Sequence, residues 1–361
     1  MGFLAVICRN RSIAPPAEAS YAALGMRTLG QSLLVAVLLA VGMGTLAAQT
    51  DVEALRAKAE QGEAEAQSSL GSRYLFGEGV AEDFAEAVKW YRMAAEQGHA
   101  RGQVVLGSMY ARGQGVPENF AEAVKWYRMA AQQGDAEAQL LLAVMYYKGE
   151  GVPQDYGEAV KWYRKAAEQG RASAQFVLGA MYTSGRLGVP LDYAEAAKWH
   201  RKAAEQGHAE AQLLLGGLYL LGRGVPQDFT EAAQWLRLAA EQGQADAQYN
   251  LGLAYNEGAG VPQDYGEAAT WLQMAAEQGQ ADAQYNLALI HHEGRGIPTD
   301  YVQAYIWLSL AASRSEGDDL ARFTKSRERL AQQMTPAQIA EAQRLAREWK
   351  PKTWDELKQG L

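Results

Sequence analysis

Five histidines, His99, His200, His208, His291 and His292, are the side chains of this 361-residue chain best suited to proton transfer or metal ligation. Their spacing serves neither. A zinc hydrolase of the His-Glu-x-x-His type needs two histidines one helical turn apart, and His292-Glu293 has no second histidine at that step. The sequence also contains no Ser-x-x-Lys, no Gly-x-Ser-x-Gly and no phosphate loop. Its many Gly-x-Gly turns join helix to helix with no strand before them, so they read as connectors. No catalytic residue, cofactor-binding residue or metal ligand is assigned, and the expected chain is not an enzyme.

What does recur is aromatic. Trp90, Trp126, Trp162, Trp199, Trp235, Trp271 and Trp307 return every 36 residues, with one extra residue before Trp199. Such a row could be a sugar-binding ladder, but at helical spacing beside Ala-Ala it reads as packing between repeats. Seven tandem copies of one sentence, as in Asp155-Tyr-Gly-Glu-Ala-Val-Lys-Trp-Tyr-Arg-Lys-Ala-Ala-Glu-Gln-Gly170, indicate a stack of two-helix units. Function then belongs to a surface. His291 stands where the other copies carry Tyr and reads as a core substitution.

Each copy is numbered from the glycine before it, so that Gly62, Gly98, Gly134, Gly170, Gly207, Gly243 and Gly279 are position 0. The spacing predicts a first helix over positions 2 to 14, with Ala138, Leu142 and Tyr146 as one buried stripe and Gly107 or Ala143 admitting a neighbouring helix. Gly149-Glu-Gly-Val-Pro153 stops it. A second helix starts at Asp83, Asn119, Asp155, Asp192, Asp228, Asp264 or Asp300, each followed three residues later by Glu or Gln in capping-box form. It buries Tyr156, Ala159, Val160, Tyr163, Ala166 and Ala167, while Lys161 and Arg164 face away. The residue inserted around Arg186-Leu187-Gly188 falls in a loop and should leave the helices undisturbed.

Hydrophobic residues make up 48% of the chain, enough for a continuous core. The formal charge is −8, and Arg9, Arg11 and Arg27 against Glu18 leave the first 48 residues net positive, so the remainder is more acidic still. Duplex binding needs the opposite balance, so nucleic acid is excluded as a partner. Leu33 to Val41 is a short apolar run after Arg27, with Thr45 and Ala47 placed as small residues before a cut after Ala47, or alternatively Ala48. That is an export signal, with Met26 as its natural start. The mature chain is expected in the periplasm of a Gram-negative bacterium or outside the cell, without stable membrane insertion. Cys8, the only cysteine, then never belongs to it.

The strings Ala-x-Ala-Gln-x-x-Leu-Gly-x-Met-Tyr, Gly-x-Gly-Val-Pro-x-Asp and Ala-x-x-Trp-Tyr-x-Lys-Ala-Ala resemble Sel-one-like repeats, relatives of the tetratricopeptide repeat. The resemblance implies an all-α fold, a right-handed superhelical solenoid of paired helices, and a role as an adaptor for other proteins. The organisation it suggests is an extension and signal over 1–48, a capping helix over 49–62, seven repeats over 63–315, capping helices over 316–350 and a tail over 351–361. Thr335-Pro-Ala-Gln338 is a further capping box, with Met334 and Ile339 placed as a staple. Cysteine-rich secreted relatives have been associated with penicillin binding. A cell-wall or β-lactam-acting enzyme is therefore an alternative, although this chain has no cysteine after residue 8. A periplasmic regulator of a sensor protein is another.

Positions 3, 7, 10 and 14 differ most between copies and share the helix face opposite the Leu and Tyr stripe. By resemblance to tetratricopeptide arrays this face lines the inner groove. Val105, Leu141, Val144, Val177 and Leu214 would form its apolar part, and the amides of Asn250 and Asn286 would hold the backbone of an extended peptide. The competing reading is that the apolar members pack against the next repeat. Lys89, Arg92, Lys125, Arg128, Lys161, Arg164, Lys198 and Arg201 make a cationic outer face that either pairs with nearby Glu or binds an acidic polymer. The expected partner is a protein or peptide, and the chain itself a monomer.

Overall fold

The computed structural model describes residues 41–185 and 188–359, and among these all regular structure is helical. Residues 1–40, with most of the expected export signal, and Arg186-Leu187 of the loop that holds the one extra residue lie outside the described residues. Two compact units divide the chain between Leu191 and Asp192. The N-terminal unit begins with α1 (Val41–Glu60) and continues as hairpins α2 and α3 (Ala64–Phe76, Phe84–Glu96), α4 and α5 (Ala100–Arg112, Phe120–Gln132), and α6 and α7 (Ala136–Lys148, Tyr156–Glu168), ending in α8 (Ala172–Ser184). The C-terminal unit opens with α9 (Tyr193–Glu205). It continues as α10 and α11 (Ala209–Leu221, Phe229–Glu241), α12 and α13 (Ala245–Glu257, Tyr265–Glu277), and α14 and α15 (Ala281–Glu293, Tyr301–Ser313). It closes with α16 (Gly317–Ala331), α17 (Pro336–Glu348) and the short α18 (Trp354–Lys358).

Every first helix spans positions 2 to 14, as the spacing predicts. α4 stops where Gly113 turns left-handed at φ 64° and its N–H satisfies the carbonyl of Met109. Second helices start on an Asx cap: Asp83 accepts hydrogen bonds from the N–H groups of Ala85 and Glu86 and starts α3. The reciprocal half of the expected capping box is not built. The Asp83 N–H donates instead to Tyr74 O at 2.9 Å, and Asn119, Asp155, Asp228 and Asp264 do the same to Tyr110, Tyr146, Tyr219 and Tyr255. Because the first helix has already satisfied that N–H, the N3 glutamate turns outward. Glu86, Glu122, Glu158 and Glu195 pair with Lys89, Lys125, Lys161 and Lys198. Complete boxes are built at Thr335 with Gln338 and at Thr353 with Glu356.

Leu106 and Leu142 are fully buried, and Tyr127 lies across Gly107, where a Cβ would come within 2.8 Å of its ring. Close approach is therefore the reason for the small residue at position 9. The second glycine of each loop has a different task. Gly151, at φ 71°, lies on the backbone at the start of α5, 2.3 Å from Phe120 O if a Cβ were present, so it joins one hairpin to the next.

A polar ladder also joins the hairpins. Buried Gln67, Gln103 and Gln139 donate to Ala59, Ala95 and Ala131 carbonyls of the preceding repeat at 3.0 to 3.2 Å. Their side-chain oxygens accept from Gln97, Gln133 and Gln169 at 2.7 to 2.8 Å. In the C-terminal unit Gln242 and Gln278 reach Gln212 and Gln248 in the same way.

In the N-terminal unit Val52 and Ala59 of α1 pack on Leu70 and Trp90. In the C-terminal unit Phe323 of α16 is buried on Ala311 and Ala312, its ring stacked 4.8 Å from Tyr285. Trp349 meets the Trp307 ring edge-on at 6.2 Å.

Candidate protein-binding surface

The frame of a first helix is committed to packing: position 4 touches the core, position 5 carries the glutamine ladder, position 8 is buried leucine, and position 12 is held by an arginine. Arg92, Arg128, Arg164 and Arg237 donate to the hydroxyls of Tyr110, Tyr146, Tyr182 and Tyr255 at 2.6 to 2.9 Å. The expectation that Arg164 faces away is therefore corrected. Only the lysine of each Lys/Arg pair stays fully outside, and its charge is met by a glutamate one turn earlier. Tyr156, expected inside, is exposed and leans on Tyr147 at 5.7 Å.

The variable positions divide between the units. In the N-terminal unit Val105 packs against the cluster of Ala87, Val88 and Leu106, and Leu141 and Val144 against that of Ala123, Tyr127 and Leu142. All three are half-buried, whereas Val177 is buried. In the C-terminal unit Leu214 is half-buried. Asn250 and Asn286 each donate one amide N–H to the carbonyl one turn back, Asp246 O and Asp282 O, both at 2.8 Å. An amide so anchored is oriented and keeps further hydrogen-bonding capacity.

Two further features lie outside the repeat pattern, one on this face and one on the outer helices. Arg322 of α16 bridges Asp282 and Asp319 at 3.0 Å and lies over the Tyr285 ring at 4.7 Å, so the cap reaches the variable face of repeat seven. Burial pushes the carboxyls of Asp246 and Asp282 upward, with Gln280 opposing it at the first and Arg322 at the second. Outside, Glu195, Lys198, Trp199, Lys202, Glu205 and Gly224 line a groove of about 570 Å³, with Lys202 at 4.3 Å over the Trp199 ring. Only the recurring Lys and Trp hinted at it.

The histidines have structural roles. His99 Nδ1 accepts the Gly102 N–H at 3.0 Å and caps α4, which leaves the ring proton on Nε2 to donate to Glu65 at 2.8 Å. His208 accepts from Ala211 at the start of α10. His200 is fully buried, and burial, with His208 nearby, lowers its pKa to about 3. The imidazole of half-buried His291 is shifted downward by burial, and its backbone carbonyl accepts the Asp300 N–H at 2.9 Å as the tyrosine carbonyl does in other repeats. His292 lies 5.6 Å from the Tyr301 ring. Among the described residues no group of three His, Cys, Asp or Glu could hold a metal.

Seven consecutive matches to the Sel1 repeat model cover residues 64–99, 100–135, 136–170, 172–208, 209–244, 245–280 and 281–315. The crystal structure of a Sel1 repeat protein from Oxalobacter formigenes is 38% identical, with a TM-score of 0.58, over 78% of this chain and 81% of that one. The protective antigen c5321 of uropathogenic Escherichia coli, described as displaying an SLR fold, is 29% identical over 85% of this chain and 97% of that one, with a TM-score of 0.43. No curated protein matches the chain.

Proposed function

Because the chain belongs to the Sel1-repeat family, whose helical solenoids typically serve as protein-interaction scaffolds, we propose that it is an exported adaptor that grips a protein or peptide partner on the variable face of its first helices. The observation that carries this reading is the division of labour along each first helix. Positions 4, 5 and 8 hold the fold in every repeat, joined in six of the seven by an arginine-held tyrosine at position 12, while positions 7 and 10 change from copy to copy and carry side chains such as Val105, Leu141, Val144 and Leu214 that remain half-buried. A half-buried apolar side chain gains further burial when a partner covers it, by about 25 cal/mol per Å². Asn250 and Asn286, fixed by their i−4 carbonyls, add directional contacts for a peptide backbone.

Export rests on the apolar run from Leu33 to Val41 and the small residues Thr45 and Ala47. Among the described residues no helix is long and apolar enough to cross a membrane. N-terminal sequencing of the protein from a periplasmic fraction should begin at Ala48, and an intact start at Met1 or Met26 would contradict cleavage. For the binding face, a cross-linked pull-down with Asn250→Ala, Asn286→Ala and Val144→Glu combined should lose the partner seen with wild type. Unchanged capture would place the interface elsewhere.

A further inference from the structure

The end of the chain is seated on its own repeats. The N–H of Lys352 donates to Glu277 O at 2.8 Å, and Lys352 Nζ reaches the Glu277 carboxylate at 2.8 Å. Pro351 lies 3.7 Å from where a Cβ on Gly279 would stand. Two residues past the lysine, the Trp354 ring covers Gly243 so closely that a Cβ there would be 2.3 Å from it. Gly243 and Gly279 are position 0 of adjacent repeats, and Glu277 closes the helix between them, where the last carbonyls lack intrahelical donors. The site is thus a register of the repeat lattice: a glycine that admits an indole, then a glutamate and a glycine one repeat later that take lysine and proline.

The same register recurs in the N-terminal unit. Gly62 with Glu96 and Gly98, and Gly134 with Glu168 and Gly170, repeat the residues at the same spacing of 36. Nothing lies within 4 Å of a Cβ at any of these four glycines, and Glu96 and Glu168 are exposed. Glu277, by contrast, is largely covered by the tail, its side chain 15% accessible. The register between them has Gln132 in place of the glutamate and lacks the charge.

We propose that these inter-repeat junctions are a docking track for an extended Pro-Lys-x-Trp segment of a partner protein, with Gly62/Glu96 and Gly134/Glu168 as its open registers and the chain's own tail filling the register at Gly243/Glu277. The partner segment is basic and aromatic, which suits a chain of net charge −8. A second copy is the weaker occupant, since each copy's tail is tethered beside its own register at high effective concentration. This track is distinct from the variable first-helix face, so either can fail without the other.

The probe is a fluorescent synthetic peptide of residues 350–359, titrated into the full-length chain and followed by anisotropy at two salt concentrations. Binding should weaken with salt and be lost in the same peptide carrying Trp354→Ala. Glu96→Lys with Glu168→Lys should weaken it by about tenfold or more, while the exposed control pair Glu82→Lys with Glu118→Lys, of equal charge change, should leave it within about twofold. Circular dichroism confirms that each variant is folded. The proposal is overturned if the peptide fails to bind, if both pairs weaken it equally, or if it binds only once Trp354→Ala in the protein has vacated the Gly243 register.

Discussion

The carboxamides of Gln103 and Gln133, thirty residues apart, are joined by a 2.7 Å hydrogen bond, while Gln103 also donates to Ala95 O at 3.0 Å in the repeat before. One buried side chain thus ties three helix ends together, and its equivalents do so along each unit. Replacing Gln103 with Met keeps the volume but leaves the Ala95 carbonyl and the Gln133 amide without this partner. Urea unfolding should show a loss of about 1–3 kcal/mol. A change below about 0.5 kcal/mol would mean that water replaces the ladder.

The two kinds of left-handed glycine should respond differently to alanine. Gly134→Ala, at φ 93° with open space around it, should cost only the left-handed penalty of about 1–2 kcal/mol. Gly151→Ala has a similar φ but drives a methyl into Phe120, so it should cost clearly more, about 3 kcal/mol or above. Equal midpoints for the two variants would show that the loop does not hold adjacent hairpins together.

Acid sensitivity should trace in part to His200. Its folded pKa of about 3 lies below the ordinary 6.5, so the unfolded chain binds the proton first. The stability it contributes is complete above pH 6.5 and drains away as pH falls toward 3, by about 1.4 kcal/mol per unit. His200→Leu, the residue type at Leu236 and Leu272 of later repeats, should remove about 2 kcal/mol of the wild-type loss between pH 7 and 5. Parallel stability profiles for the two proteins would contradict this.

The tryptophans are graded. Trp126 is buried in the cluster of Ala87, Tyr91 and Leu106, so Trp126→Ala should cost about 3–5 kcal/mol. Trp162 is only half-buried and should cost less. Thermal melts that reversed this order would place the load on the outer ring face.

Much of this architecture is written in local chemistry. Gly98 and Gly113 bracket α4 because glycine alone enters the left-handed region cheaply, and Asn119 starts α5 through a bond to its own Glu122 N–H. What escaped the sequence depends on partners far along the chain. A glutamine inside a helix reads as solvated, so the Gln103 ladder was invisible pairwise, although a polar residue kept at position 5 of all seven copies, beside the buried stripe, was a usable signal. Glu86 reads as half of a capping box until the Tyr74 carbonyl is known to occupy the N–H it would take. The variable face was visible as a pattern, but the extent to which Val105 and Leu141 share in the core was not. Trp354 on Gly243 joins residues more than a hundred positions apart and left no mark in the repeat.

If partners are gripped by the variable face of the first helices, that face and not the outer lysines should lie within bonding reach of a bound protein. The measurement is a photo-cross-linking amino acid placed in turn at Val144, Leu214, Lys89 and Lys161 of the full-length protein in living cells. One discrete adduct should be shared by the Val144 and Leu214 positions and be absent from the two lysines. Adducts confined to the lysine positions, or none at Val144 and Leu214 while the partner still co-purifies, would contradict it.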